Sequence, residues 1–202
     1  MATEREKRDQ ELKLHPELAI PNRFSQVVKG IYRSSYPDAM HSGVFEALRV
    51  KTVLRFVSED YSLSLKQFFA RKRIRCLLIS VVPNKEGATK SSNDAVDAVL
   101  RIMIDQNNHP IVIHCNQGKH RTGCMVACFR KVQGWAHKDI MDEYRSFAGD
   151  KARPLDDAFV QAYSPSQAIR EAAKFKNIAA WTVAPDELTG VTLNERSLSR
   201  RD

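Results

Sequence analysis

The sequence predicts an α/β domain with a mainly parallel central sheet flanked by helices. Two observations carry this expectation. Short apolar runs such as KTVLRFV at 51–57 and PIVIHC at 110–115 alternate with longer stretches of helical periodicity. One run, IRCLLISVV at 74–82, is almost continuously apolar, as strands covered on both faces are. Strands and helices in alternation form parallel sheets with helices packed on them.

Taken in order, residues 1–21 are charged and end at Pro21, and read as an N-terminal extension. A strand is expected at Val27 to Tyr32, then a helix in PDAMHSGVFEALRV with Val44, Phe45 and Leu48 inward. KTVLRFV is a second strand, YSLSLKQFFARKR a helix and IRCLLISVV a third strand. PNKEGATK at 83–90 is a polar loop punctuated by proline and glycine. In SSNDAVDAVLRIMIDQNN, Ser91 with Asp94 three residues later marks a helix start, and Val96, Val99, Leu100 and Met103 share one face. PIVIHC is a strand and TGCMVACFRKVQ the helix after it. Three further helices are expected between 136 and 182, and the last 20 residues show no periodicity. The core domain is placed at 22–165, with 166–202 a C-terminal helix and tail.

Composition narrows the possibilities. The 202 residues are 43% apolar and 28% charged, which suits a globular domain. No apolar run approaches the roughly 18 residues that span a bilayer, and MATEREKRDQELK lacks a signal-peptide core. Cys76, Cys115, Cys124 and Cys128 form no disulfide framework and read as a reducing compartment, cytoplasmic or nuclear. The net charge is +8, and with a neutral first 13 residues and −1 over 186–202, residues 14–185 carry +9. A basic domain suits an anionic ligand: a phosphorylated metabolite, a nucleic acid or an acidic lipid. Aromatic and basic residues are not interleaved along one face, which argues against nucleic acid.

The stretch HCNQGKHRTG at 114–123 closes a strand and opens a helix, the place where parallel sheets bind ligands. Gly118 permits the positive φ that a tight backbone curl needs, and Gly123 lets the helix begin close to its neighbours. Loop N–H groups gathered at a helix N-terminus make an anion site. Such a terminus and adjacent cations favour the thiolate, so Cys115 reads as a nucleophile beneath a bound phosphate. Arg121 offers a planar fork for two phosphoryl oxygens, and phosphoryl transfer depends on that alignment and charge. Attack by Cys115 gives a phosphocysteine, which water hydrolyses. Thr122 is placed to donate to the departing thiolate, and His114 to orient the loop. Asn116, Gln117, Lys119 and His120 complete the phosphate-binding loop.

Cysteine and arginine six apart are weak evidence alone, since Cys124 and Arg130 share the spacing. CMVACFR, however, lies in a helical run without glycine and cannot form a phosphate loop. Two other readings compete for 114–123: a zinc site drawing on Cys115, Cys124, Cys128, His114 and His120, and a loop that binds phosphate without turnover. The zinc reading lacks a matching ligand pair elsewhere.

HCNQGKHRTGC resembles the signature of the cysteine-dependent phosphatases, and more narrowly the plant and fungal atypical dual-specificity phosphatases, whose loop reads HCxxGKHRTG. GIYRSSYPD is similar to that family's GxxRSxxP start, NKE at 84–86 to its Asn-Lys-Glu turn, and DEYRSFAGDKAR at 142–153 to its DEYxxFAxxKAR segment. The resemblance covers residues 22–163. It implies a protein-tyrosine-phosphatase-like fold, Cys115 as nucleophile, Arg121 as phosphate clamp, and Lys119 and His120 facing the ligand. It implies a substrate among the inositol pyrophosphates, cleaved at the β-phosphate, and neither metal nor other cofactor. Two features depart from the family: Gln117 stands where a basic residue is common, and PNKEGATK replaces GNKEPF.

Hydrolysis of a phosphate ester wants an acid to protonate the leaving oxygen. After LLISVV no aspartate appears until Asp94, Glu86 is nearer, and the acid stays unassigned. A phosphoric anhydride releases a phosphate, which departs without a proton. The expected partner is therefore a small polyanion, an inositol pyrophosphate, with a phosphoprotein or a non-hydrolysed phosphoinositide as the alternatives. Lys85 and Arg33 are candidate substrate contacts outside the loop.

Overall fold

The computed structural model describes residues 18–85 and 91–183. Glu86, the extension up to residue 17 and the tail from residue 184 lie outside the described residues. Five strands form one sheet: β1 (Ser25–Val28), β2 (Ile31–Ser34), β3 (Thr52–Arg55), β4 (Arg75–Leu78) and β5 (Ile111–His114), in the order β1-β2-β5-β3-β4. β2, β5, β3 and β4 run parallel, and β1 joins β2 antiparallel. The helices are α1 (Ser42–Ala47), α2 (Leu63–Arg71), α3 (Asn93–Ile104), α4 (His120–Gln133), α5 (His137–Ala148), α6 (Pro154–Ala162) and α7 (Gln167–Phe175).

Strand alternation sorts the core into two layers. Val53 and Val112 face α1 and α2, where they meet Val44, Phe45, Leu65 and Phe69. Leu54, Ile111 and Ile113 face the other side, where α3 to α7 bring Val99, Met103, Met125, Phe129 and Ile140. α4 lies in the middle of that layer and is buried almost all round, Thr122 through Arg130 included. α7 drives Ile169 and Ala173 into the same core. No described helix is long and apolar enough to cross a membrane.

Several local expectations are corrected. The single strand expected at Val27 to Tyr32 is a hairpin, because Lys29 and Gly30 turn the chain, Gly30 with φ +81°. IRCLLISVV is not buried on both faces: β4 stops at Leu78 and pairs only with β3, leaving Cys76 and Leu78 exposed at the sheet edge. The cap of α3 is Ser92, which accepts from the Ala95 N–H at 3.2 Å, while Ser91 accepts from the Val82 N–H at 2.9 Å. The last helix breaks at Asn177, φ 49°, before a short turn at Ile178–Ala180.

Arg130, the second match to the cysteine–arginine spacing, is a structural residue. Its Nε and Nη2 pair with the Glu143 carboxylate at 2.9 and 2.8 Å, Nη1 donates to Gln133, and Nη2 also donates to Val27 O. Gln133 in turn donates to the carbonyls of Ile178 and Trp181 at 2.8 and 3.0 Å, fastening the C-terminal turn to α4. There the Trp181 ring meets His109 edge-on, centroids 5.8 Å apart.

Candidate active site

Cys115 directly follows β5 at the carboxyl edge of the sheet and is 3% exposed. From Asn116 to Lys119 the chain curls before α4 begins at His120. Three outward carbonyls are each held from behind. The Tyr36 N–H donates to Asn116 O at 2.9 Å, Arg23 Nη1 to Gln117 O at 3.2 Å, and Arg33 Nη2 to Gly118 O at 2.8 Å. In a trans peptide the N–H points opposite the carbonyl, so the amides of Gln117, Gly118 and Lys119 turn to the concave side. With the positive end of α4 beneath them, they form a cup for an anion. Gly118 has φ +68°, and a Cβ there would lie 2.6 Å from Ser34 O and 2.8 Å from Ser35 N, so no side chain fits. Gly123 lets α4 approach Tyr144, whose ring would stand 2.9 Å from an added Cβ.

Arg33 is therefore corrected from a ligand contact to a loop support. It is 1% exposed behind the loop, its guanidinium 3.7 Å from the Phe147 ring centre. Burial lowers its pKa to about 10, against the opposing pull of Glu143 and Cys115. Arg23, which the sequence reading passed over, also holds Phe147 O with its Nε at 3.2 Å.

Arg121 stands half-buried in the first turn of α4, its Nη1 donating to Phe56 O at 3.2 Å. His114 is buried below the loop, with Nε2 2.6 Å from Tyr61 Oη and Nδ1 3.3 Å from Cys115 O. Burial lowers its pKa to about 4, so the ring is neutral and holds the loop through hydrogen bonds. The Thr122 hydroxyl is buried and, among the described residues, has no hydrogen-bond partner, Cys115 Sγ included. Asn116 and Gln117 are exposed on the rim, and Asn116 Nδ2 donates to Glu59 Oε1 at 3.3 Å. The Lys119 ammonium is pushed below the ordinary lysine value, first by partial burial and then by the charges of Arg23 and Lys151.

His120, expected to face the ligand, is engaged through Nδ1 in a buried network. Its Nδ1 lies 3.0 Å from Asp156 Oδ2 and 3.2 Å from Tyr144 Oη. Tyr144 donates to the same Asp156 oxygen, and Asn84 Nδ2 donates to Oδ1 at 2.8 Å. Burial, opposed by Asp156, holds the His120 pKa below its usual value. The network ties α4, α5, α6 and the loop after β4 together beneath the cup. Asn84 and Tyr144 fall in the family-like segments NKE and DEYRSFAGDKAR, but their partnership with Asp156 spans stretches of chain that no local pattern bridges. Asn84 also reaches Cys124 Sγ at 3.6 Å, a thiol whose pKa burial raises well above normal. Lys85 is exposed at the end of the described loop.

The chain matches the tyrosine phosphatase family over residues 18–182. It is 38% identical over 162 residues to inositol diphosphatase SIW14 of Saccharomyces cerevisiae, a match spanning 80% of this chain and 58% of that protein. It is 38% identical over 149 residues to inositol diphosphatase DSP1 of Oryza sativa subsp. japonica, covering 74% of this chain and 67% of the relative. Among solved structures, the core catalytic domain of PP-IP phosphatase SIW14 from S. cerevisiae in complex with citrate superposes with a TM-score of 0.74. That likeness has 35% identity and covers 82% of this chain and 99% of that one. The fold class and the family resemblance expected from the sequence are thus borne out. Since the match takes in the cup, the sheet that carries it and the helices behind it, the chain belongs to the tyrosine phosphatase family.

Proposed function

We propose that the protein is a cysteine-dependent phosphatase that hydrolyses the β-phosphate of inositol pyrophosphates through a phosphocysteine. The observation that carries this reading is the cationic rim of the phosphate cup. Arg23 and Lys151 stand close enough for their charges to act on Lys119, against the smaller pull of Asp150, and Arg153 acts likewise on His120. Such a rim suits the phosphates of a polyanionic ring. Among the described residues, the carboxylates hydrogen-bonded to the loop are Glu59, through Asn116, and Asp156, through His120. Glu59 is held below the usual carboxylate range, by backbone and Asn116 hydrogen bonds first, and is therefore ionised. Asp156 is buried among Asn84, His120 and Tyr144. An ester would want a proton donor, and ionised Glu59 does not supply one, whereas an anhydride releases a phosphate that leaves as an anion. The names of the yeast and rice relatives support the same substrate class.

The proposed reaction has two steps. The β-phosphate seats in the cup, its oxygens held by the amides of 117–119 and the Arg121 fork. The Cys115 sulfur attacks phosphorus as the bond to the bridging oxygen breaks, and the electron pair leaves with the ring phosphate. Water then attacks the phosphocysteine, the S–P bond breaks and inorganic phosphate departs. The Thr122 hydroxyl, buried and unpartnered among the described residues, is available to the thiolate that re-forms.

The test compares release of phosphate from diphosphoinositol phosphates and from phosphotyrosine peptides at equal concentration, with inositol products resolved by position. Loss of one β-phosphate and slower peptide turnover are expected; faster peptide turnover overturns the reading. Cys115→Ser should abolish release and retain binding, and unchanged release would remove the nucleophile.

A further inference from the structure

The two turns that lead from helix to strand before β3 and β4 are built alike. After α1 the chain runs Leu48, Arg49, Val50, and after α2 it runs Lys72, Arg73, Ile74. Arg49 and Val50 donate to the carbonyls of Glu46 and Phe45, each at 2.9 Å. Arg73 and Ile74 donate to those of Ala70 and Phe69 at 3.1 and 2.8 Å. This paired closure forces its middle residue into the left-handed region, where glycine is favoured. Arginine occupies that position both times, with φ 52° at Arg49 and 55° at Arg73.

Folding gives the choice only a small reason, since what a cation at a helix C-terminus gains from the macrodipole is less than the left-handed conformation costs. Both side chains are exposed, and neither forms an ion pair among the described residues. Arg23, the other arginine with positive φ, shows what such strain can secure, since it holds the phosphate loop. Around Arg49 and Arg73 stand Lys51, Arg71, Lys72 and Arg75, all exposed. The register Thr52↔Arg75 and the bond from the Arg75 N–H to Lys51 O bring the two turns side by side. Of these six cations only Lys72 has an ion-pair partner among the described residues, Glu46.

We propose that this face docks on an anionic lipid bilayer. It lies at the amino ends of β3 and β4, opposite the carboxyl edge that carries Cys115, so a docked molecule keeps its cup open to water. The exposed residues of 49–51 and 71–75 are cations alone, with Phe68 and Phe69 turned inward, so the face offers no stacking platform for nucleotide bases. Cations near an acidic leaflet are each attracted to it, and a cluster recruits a protein reversibly without a membrane-spanning segment.

The test uses the full chain and the double variant Arg49→Gly/Arg73→Gly, sedimented with phosphatidylcholine vesicles with and without phosphatidylserine. Wild type is expected to bind only the acidic vesicles and to be released by high salt. The variant should partition about tenfold or more weakly, with turnover unchanged and a melting temperature equal or higher, because glycine relieves the left-handed strain. Absence of acidic-vesicle binding by wild type, or equal binding by the variant, overturns the proposal. So does a lowered melting temperature, which would give the arginines a folding role, or tighter salt-sensitive binding to a short RNA than to the vesicles.

Discussion

Arg33 Nη2 donates to Gly118 O at 2.8 Å and joins two residues 85 positions apart on the dry side of the phosphate loop. The bond fixes the peptide whose amide faces the ligand. Arg33→Met should lower kcat/KM about 30-fold, the worth of one charged hydrogen bond. Stability should change little, since Nε and Nη1 are buried without partners among the described residues and their desolvation is uncompensated. Steady-state kinetics beside thermal melts check this, and a large fall in melting temperature would mark the residue as scaffold alone.

Gly118→Ala tests the cup directly. The added carbon would press on the backbone of Ser34 and Ser35, which belong to β2 and its exit and cannot yield cheaply. Displacing the loop misaligns all three amides, and turnover should fall by at least about a hundredfold. Phosphate or vanadate affinity measured on the folded variant should fall with it.

Asp156 holds the ground beneath the site. Asp156→Ala leaves Asn84, His120 and Tyr144 without their shared acceptor and should cost about 3–5 kcal/mol. Tyr144→Phe removes one donor and should cost about 1 kcal/mol. A double-mutant cycle in urea should show the two coupled, because they share an oxygen.

His114 gives stability a pH dependence. The unfolded ring takes a proton near 6.5, the buried ring only near 4. Stability present above pH 6.5 is therefore lost as the pH falls towards 4, because the unfolded chain binds the proton that the native state refuses. The loss is at most about 3 kcal/mol. His109 and His120, also lowered by burial, add in the same direction. Urea midpoints should drop between neutral and mildly acidic buffer, with a shallower slope in His114→Gln.

The cysteine and arginine of 114–123 were legible because strand, glycines and helix sit next to each other in the chain. The same context correctly set aside Cys124 and Arg130, whose arginine is consumed by Glu143, Gln133 and Val27. Arg33 misled because sequence gives a residue's charge and not the side of a loop it serves. The partnership of Asn84, Tyr144 and Asp156 was silent because it crosses three separate segments. β4 looked central because apolar content does not tell a middle strand from an edge.

The edge-on contact of Trp181 with His109 gives the protein a built-in optical probe. The chain has only two tryptophans, and Trp135 lies under the Arg130 guanidinium at 4.2 Å, remote in its contacts from the phosphate loop. A protonated imidazole quenches a neighbouring indole, so emission from Trp181 should dim as His109 gains its proton. A Trp135→Phe variant would isolate that signal and let acid-induced opening of the carboxy-terminal clasp be followed without an added dye.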